Sequence, residues 1–477
     1  MVFLVFLILI SLIRVKVLLK PMLFFFFPLV LAIAYTMNTY GTIYDDAMII
    51  NILQTSTYES FELLTPTFFL YLGLGFAIPI FFVKKFSITY PVFIKDMLYR
   101  LSLILGSFMI IGLIVYSQPK KFATFFRVHK SLRYYINPIH PLFTASRLLV
   151  EQTMATSLSF TPIGTDAKMQ PNSPLSLTIF VVGETARADH FELNGYKRET
   201  TPLLKNENVY SFTNVSSCGT STAHSVPCMF FDLGRKKFDR SKAKWRSNLL
   251  DILNTTKEFK ILWRDNNSSS KGVADRVQYQ DYQSNIINTI CDPEGCRDEG
   301  MLVGLDDFIK DNPNKNIFIV LHQIGNHGPA YFKRYPMNFE KFTPICKTSE
   351  LSECNNQEII NTYDNALLYT DYFLAKTIQF LKKYDQEYQT LMWYESDHGE
   401  SLGENGVYLH SIPYSIAPKE QVHVPRILWL GNKLKQTQNN LQKKLHTEYS
   451  HDHIFHSLLD ILNVETTVKR KELSLFQ

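Results

Sequence analysis

The stretch Leu177-Thr178-Ile179-Phe180-Val181-Val182-Gly183-Glu184-Thr185 sets the reading of this chain. A strand-length apolar run ends at a glycine and then at a carboxylate. Comparable runs recur at Lys260–Trp263, Ile317–Leu321, Thr390–Tyr394 and Arg426–Leu430, each bounded by polar residues and separated by helix-like stretches. That alternation predicts an α/β domain with a largely parallel sheet, from about residue 175 to 477. Such sheets carry their chemistry just past the carboxyl ends of the strands.

The residues at those ends are polar and varied. Glu184 follows the first run, Arg264, Asp265 and Asn266 the second, His322 and His327 the third, and Asp397 and His398 the fourth. Carboxylates and imidazoles from several strand ends can converge on one metal. Each alone is more often a solvated loop residue or a turn cap, and it is their joint placement that points to a site. The segment Ser216-Ser217-Cys218-Gly219-Thr220-Ser221-Thr222-Ala223-His224-Ser225-Val226-Pro227-Cys228 offers hydroxyls at the start of a helical stretch. A helix N-terminus favours phosphate, and a metal beside a hydroxyl makes it a nucleophile. The plain alternative is an ordinary Ser/Thr helix cap. His224, inside that segment, reads as a local structural residue.

Working outward, the composition is uneven. Of the 477 residues, 46% are hydrophobic and 19% charged, below the roughly 25% charged of a typical soluble domain. The net charge of +5 does not suggest nucleic acid. The apolar excess lies at the front, where Pro21–Tyr44, Leu63–Val83 and Leu101–Pro119 carry no charge. Each can span a bilayer, which takes about 20 helical residues. Met1–Ile13 is apolar but short and reads as a partial span. The first loop holds Arg14, Lys16 and Lys20, the third Lys84, Lys85, Lys95 and Arg100, and the second only acids: Asp45, Asp46, Glu59 and Glu62. The excess of basic residues puts loops one and three in the cytoplasm. The second loop and everything after Pro119 then lie outside. The divisions are a transmembrane helical domain at 1–119, an amphipathic connector and linker at 120–174, and the catalytic domain at 175–477.

All six cysteines fall in the exported part, as the close pairs Cys218 and Cys228, Cys291 and Cys296, and Cys346 and Cys354. An even count outside the cell suggests disulfides, local pairing being simplest. A zinc site is the rival, but no Cys-x-x-Cys spacing occurs.

At this point the motifs become recognisable. Val181-Val182-Gly183-Glu184-Thr185-Ala186-Arg187-Ala188-Asp189-His190, followed by Asn194-Gly195-Tyr196, resembles the signature of the lipid A phosphoethanolamine transferases. These are membrane-anchored members of the alkaline phosphatase and sulfatase superfamily, and the resemblance extends to the transferable colistin-resistance type. The likeness continues through Cys-Gly-Thr-Ser-Thr at 218–222, Leu-Trp-Arg-Asp-Asn-Asn at 262–267, Gly-Met-Leu-Val-Gly-Leu-Asp-Asp at 300–307, Gly-Asn-His-Gly-Pro-Ala-Tyr-Phe-Lys-Arg-Tyr at 325–335 and Ser-Asp-His-Gly-Glu-Ser-Leu-Gly-Glu-Asn-Gly at 396–406.

The resemblance implies a C-terminal α/β sandwich of alkaline phosphatase/sulfatase-like fold behind an N-terminal helical transmembrane domain. It implies a zinc ion held by Glu184, Thr222, Asp397 and His398, with Thr222 as the nucleophile. His327 and His410 match substrate-side histidines that in the family can hold a second, weaker zinc. Ser268 and Lys271 match phosphoethanolamine-binding positions. Asn51, Thr55 and Glu59 match lipid-binding residues of the outer loop, and their four-residue spacing predicts one helix face. The implied donor is phosphatidylethanolamine and the acceptor a lipid A phosphate. The implied setting is the inner membrane of a Gram-negative bacterium, with a monomeric multi-pass protein, its catalytic domain in the periplasm and no nucleic-acid partner. The added amine makes the cell surface less negative, hence polymyxin resistance. The family has five spans; this chain has room for three and a partial one, and it reads as beginning inside the second.

Rivals are weaker. A sulfatase needs a Cys-x-Pro-x-Arg context, which neither 218–222 nor 227–231 provides. A phosphoglycerol transferase, or a transferase with another acceptor, would share the threonine and differ in product. An inactive membrane sensor would have lost zinc ligands, and all four are present. The run His446, His451, Asp452, His453 and His456 imitates a metal cluster. Since the family carries a similar Ser-His-Asp start to its last helix, capping and packing are the roles expected here.

Overall fold

The structure is a computed structural model, and it describes residues 3–4, 7–8, 11, 19–55, 57–87, 92–155, 159–434 and 440–477. Most of the apolar run Met1–Ile13, together with Arg14 and Lys16, lies outside the described residues. The chain forms two compact units, one from Met1–Asn38 and Leu64–Leu142, the other from Thr39–Leu63 and Phe143–Gln477.

The first unit is helical. Its helices α1 (Leu19–Tyr40), α4 (Pro66–Lys85) and α5 (Phe93–Ser117) are each long and apolar enough to cross a membrane. They correspond to the three uncharged runs. The helices α1 and α4 touch closely at Gly75, where a Cβ would stand 3.0 Å from the Pro28 nitrogen. Small residues permit such backbone approach between apolar helices. Thr65 caps α4 by accepting from the Phe68 amide at 3.2 Å, and its hydroxyl also bonds the Tyr35 hydroxyl at 2.7 Å. A buried hydroxyl pair of this kind leaves neither group unsatisfied among apolar side chains. The basic, aromatic opening of the connector forms helix α6 (Pro119–Val128).

The second unit begins with α2 (Asp46–Gln54), capped by Asp45, whose side chain accepts from the Met48 amide at 3.0 Å. The helix stops at Thr55, which is extended (φ −64°, ψ 137°), and α3 (Thr57–Glu62) is a separate element. The single helix face expected for Asn51, Thr55 and Glu59 is therefore not formed. The Thr55 hydroxyl bonds the Asn51 carbonyl at 2.6 Å, closing the last turn of α2 with a side chain instead of a further amide. The side chain of Glu59 lies outside the described residues. A helix not foreseen in the connector, α7 (Ile139–Ala155), leads into the catalytic sheet.

That sheet has eight strands: β1 (Ser176–Gly183), β2 (Tyr210–Ser216), β3 (Phe259–Asp265), β4 (Gln278–Asp281), β5 (Asn316–His322), β6 (Gln389–Ser396), β7 (His423–Leu430) and β8 (Tyr449–Ser450). Their order is β8-β2-β7-β6-β1-β5-β3-β4. The run from β6 to β4 is parallel, while β7 is antiparallel to both neighbours. The five expected runs are β1, β3, β5, β6 and β7.

Strand side chains alternate between faces, and both faces are covered. Phe180, Val182, Trp263, Phe318 and Trp393 pack against α8 (Thr222–Met229), α9 (Leu249–Thr255) and α11 (Ile454–Ile461). Ile179, Val181, Ile319, Leu321, Met392 and Tyr394 pack against α10 (Asn356–Lys382). Each fully buried side chain of this size contributes about 1.5–3 kcal/mol. The start of α10 is fixed by a capping box between Asn355 and Glu358. The domain is thus a helix–sheet–helix sandwich, as expected. All three local disulfides form: Cys218–Cys228, Cys291–Cys296 and Cys346–Cys354.

Candidate active site

The adjacent strands β1 and β6 deliver the centre of the site. Glu184 follows β1 directly, and Asp397 and His398 follow β6, whose end is tied to β1 by the Asp397 amide on the Gly183 carbonyl at 2.9 Å. Thr222 opens α8, and the preceding Ser221 is extended (φ −150°, ψ 148°), which aims the first turn at the strand ends. The Cys218–Cys228 disulfide brackets this turn.

The four side chains converge and all are buried. Thr222 Oγ1 lies 3.1 Å from Glu184 Oε2 and 3.3 Å from His398 Nε2. His398 Nε2 is 3.5 Å from Glu184 Oε1 and 3.4 Å from Asp397 Oδ2. His398 Nδ1 donates to the Gly399 carbonyl at 2.9 Å, leaving Nε2 to face the cluster with its lone pair. Asp397 Oδ1 accepts from the His398 amide at 2.7 Å and the Thr185 amide at 3.3 Å. Asp397 Oδ2 has no hydrogen-bond donor among the described residues.

This donor set fits a divalent metal. Glu184, Asp397 and His398 each offer one donor atom, all within 4.8 Å of one another. Two buried carboxylates side by side repel, and an orphaned carboxylate oxygen in a dry site is costly. A cation between oxygen and imidazole donors relieves both, and this is a zinc-type set.

A second group stands beside it. His410 Nδ1 lies 2.8 Å from Glu400 Oε2, and the Tyr331 hydroxyl donates to Glu400 Oε1 at 2.7 Å. The His410 ring centroid is 4.3 Å from that of His398 and 5.6 Å from that of His327. The second set of clustered donor atoms among the described residues is His398, Glu400 and His410. Burial, reinforced by the charges of His410 and Arg334, holds His327 well below the usual histidine range, so its ring is neutral. Burial likewise lowers His398, against the pull of Asp397.

Ser268 and Lys271 meet each other in the loop after β3, with Lys271 Nζ 2.6 Å from the Ser268 hydroxyl. Lys271 is near enough to His327 to contribute to its lowered basicity. Asn51 and Thr55 sit at the end of α2, which packs against α8.

Two participants were not singled out from sequence. Asn267 Nδ2 donates to Glu184 Oε2 at 2.7 Å and to the Gln323 carbonyl at 2.8 Å. Glu400 backs His410. Both stand beside recognised motif residues, Asn267 in 262–267 and Glu400 in 396–406, which was the available signal.

Other strand-end residues do different work. Asp265 and His322 pair at 3.0 Å, with the Trp263 indole donating to Asp265 at 2.7 Å. Arg264 reaches the Met301 and Val303 carbonyls, and Asn266 holds Asp298 at 2.8 Å. The histidine run near the C-terminus makes structural contacts. His451 accepts from the Cys218 amide at 3.0 Å and donates to the Ser396 carbonyl at 3.0 Å, while Asp452 accepts from the Arg235 amide at 2.8 Å. His224 packs edge-on against Phe238 with ring centroids 5.0 Å apart.

Comparison with known proteins places this geometry. The family profile described as "Sulfatase" matches residues 176–464, and that described as "Phosphoethanolamine transferase EptA/EptB" matches residues 2–153. Phosphatidylethanolamine transferase Mcr-1 of Escherichia coli is 46% identical over 96% of this chain and 86% of its own length. The chain belongs to the phosphoethanolamine transferase family. Within that family, the phosphoethanolamine transferase EptA of Salmonella typhimurium is 41% identical over 91% of this chain and 81% of its own. The full-length membrane structure of the lipooligosaccharide phosphoethanolamine transferase A from Neisseria meningitidis superposes with a TM-score of 0.92 at 34% identity, covering 98% of this chain and 88% of that one. The chain thus shares both the apolar helices and the sandwich of that structure.

Proposed function

We propose that this chain moves phosphoethanolamine from phosphatidylethanolamine to a lipid A phosphate through a covalent phospho-threonine on Thr222. The observation that carries the reading is the hydroxyl at the start of α8, 3.1 Å from Glu184 and 3.3 Å from His398, inside a donor set that fits zinc. Zinc would be held by Glu184, Thr222, Asp397 and His398, with room for a second ion at His410 beside Glu400 and His327. When bound, zinc supplies positive charge that acidifies the hydroxyl and offsets the phosphoryl oxygens.

The chain's own groups then divide the work. Thr222 Oγ1 loses its proton along the hydrogen bond to Glu184 and forms a bond to phosphorus. The phosphorus–oxygen bond to diacylglycerol breaks, and the leaving oxygen takes a proton from His410, the ring with a carboxylate partner. His327, neutral in its buried site, hydrogen-bonds the phosphoryl group. Ser268 and Lys271 hold the phosphoethanolamine, and Asn51, Thr55 and Glu59 the lipid. A lipid A phosphate oxygen then attacks phosphorus and gives its proton to His410, the bond to Thr222 breaks, and Thr222 takes its proton back from Glu184. Positioning and fixed charge provide most of the rate.

In this reading residues 1–119 are the membrane domain of a multi-pass inner-membrane protein, 120–174 the connector, and 175–477 a periplasmic catalytic domain acting as a monomer. The second loop is outside by the distribution of basic residues. The modified lipid A is less negative, and polymyxin binds it less well.

The test uses the full chain with phosphatidylethanolamine labelled in its headgroup. Peptide mass spectrometry should find the label on Thr222. The Thr222→Ala variant should take up no label and leave the lipid A mass unchanged in cells. Transfer by that variant would refute the nucleophile.

A further inference from the structure

The segment that follows His327 carries a buried cation with two unlike partners. Arg334 Nε donates to the His327 carbonyl at 2.6 Å, and the same guanidinium bonds the Glu62 carboxylate. Both side chains of this ion pair are 2% exposed. Lys333, next in chain, stands 3.8 Å from the other Glu62 oxygen. Glu62 ends α3, the short helix that carries position 59, and α2 with Asn51 and Thr55 immediately precedes it. One guanidinium thus ties the backbone of a substrate-side histidine to the outer-loop helices. Lys333 adds a longer, more exposed ionic contact to the same carboxylate, so the loop that carries His327 meets residues 39–63 at Glu62. The ion pair of Arg147 with Asp46 holds α2 to α7 instead.

We propose that Glu62 and Arg334 form a registration latch for the donor lipid. Arg334 is a positioning residue for His327, and through Glu62 it also fixes where the loop helices present their lipid-binding residues. The proposal rests on the transferase reading above. A buried pair serves this purpose because its geometry is narrow: a guanidinium fork has few ways to meet a carboxylate, and loss of one partner strands the other charge in a dry place. The two residues then separate in their effects. Glu62 touches only the loop end of the latch, so its loss should disturb capture of a lipid and spare the chemistry. Arg334 touches both ends, so its loss should disturb both.

The experiment compares two donors on the full chain in detergent: phosphatidylethanolamine in mixed micelles, and its deacylated, water-soluble counterpart with the same headgroup. Glu62→Gln should raise KM for the lipid about tenfold, the size of a 1.4 kcal/mol loss. It should leave kcat/KM for the soluble donor within about twofold of the unaltered chain. Arg334→Gln should lower kcat on both donors. The reversed pair Glu62→Arg with Arg334→Glu should recover the lipid KM and not the kcat, because a carboxylate cannot donate to the His327 carbonyl. Turnover of the soluble donor certifies that each variant is folded. An unchanged lipid KM in Glu62→Gln, or equal losses on both donors, would overturn the latch. Failure of the unaltered chain to use either donor would overturn the transferase reading itself.

Discussion

Asn267 Nδ2 gives one hydrogen bond to Glu184 Oε2 at 2.7 Å and the other to the Gln323 backbone at 2.8 Å. Both protons of the amide are used, one on a fixed carbonyl and one on the carboxylate that faces Thr222. The amide therefore transmits the rigidity of the sheet to a candidate metal ligand. Partners of this kind set ligand orientation, and their loss costs about 10–100-fold in metal affinity. Asn267→Ala should weaken zinc binding by that order while the metal-free protein melts at nearly the same temperature. Competition with a chromogenic chelator measures it, and an unaltered affinity would show the contact to be incidental.

Glu400 accepts from Tyr331 on one oxygen and contacts His410 on the other. An amide has only one acceptor atom, so Glu400→Gln cannot accept from Tyr331 and from a protonated His410 Nδ1 at once. The expected outcome is a drop in kcat of about 10²-fold with little change in KM, the scale of lost acid–base catalysis. Tyr331→Phe should be milder, since it leaves the His410 contact in place. Single-turnover kinetics with labelled donor would separate this from slow product release.

Removing metal should destabilise the catalytic sandwich as well as silence it. Glu184 and Asp397 are both buried, and together with His398 their donor atoms lie within 4.8 Å of one another, so two like charges are held close in a dry place. Ligand binding to the folded state alone adds about 4 kcal/mol at a thousandfold excess over Kd. Scanning calorimetry with and without a chelator should show a lower melting temperature without metal. Asp397→Asn should shrink the difference. A melt indifferent to chelator would mean that the cluster does not hold a metal.

Acid should unfold the sandwich for an independent reason. Burial lowers His451 from 6.5 to about 3, with Arg426 adding to the effect, and lowers His456 to about 4. A histidine that is harder to protonate folded than unfolded contributes stability that is complete above the unfolded value. That stability is lost as pH falls from 6.5 toward 3. Melting temperature should therefore decline from neutral pH to pH 5, and the decline should be shallower in His451→Ala. The same slope in the variant would assign acid sensitivity elsewhere.

The strands that were legible are those buried on both faces. Around Ile179, Phe180 and Val181, and around Phe318, Ile319 and Val320, there is no polar face to interrupt the apolar run. Strand β2, Tyr210–Ser216, mixes serine, threonine and asparagine with its apolar residues and gives no such signal. Helix α7 falls inside the stretch 120–174 taken as connector and linker, and Pro138 and Pro141 sit beside or within its first turn, where proline is tolerated. In the site, Glu184, Asp397 and His398 could be read because each follows a strand. The pairing of Asp265 with His322, also at strand ends, shows that position alone does not separate a ligand from a structural pair. Thr55 stopped a helix that spacing had carried on, because the hydroxyl competes for the carbonyl that the next turn would use.

The chain enters its second compact unit at Thr39, leaves it at Leu63 and returns at Phe143. The unit is consequently discontinuous, and no single cut isolates it. A soluble fragment begun at residue 143 would contain Glu184, Thr222, Asp397 and His398, yet it would leave Arg334 without Glu62 and α8 without α2. Inhibitors selected against such a fragment would meet a surface that the intact protein keeps covered. Screening for compounds that block this protein should therefore use the whole chain, or a fragment to which residues 39–63 have been restored.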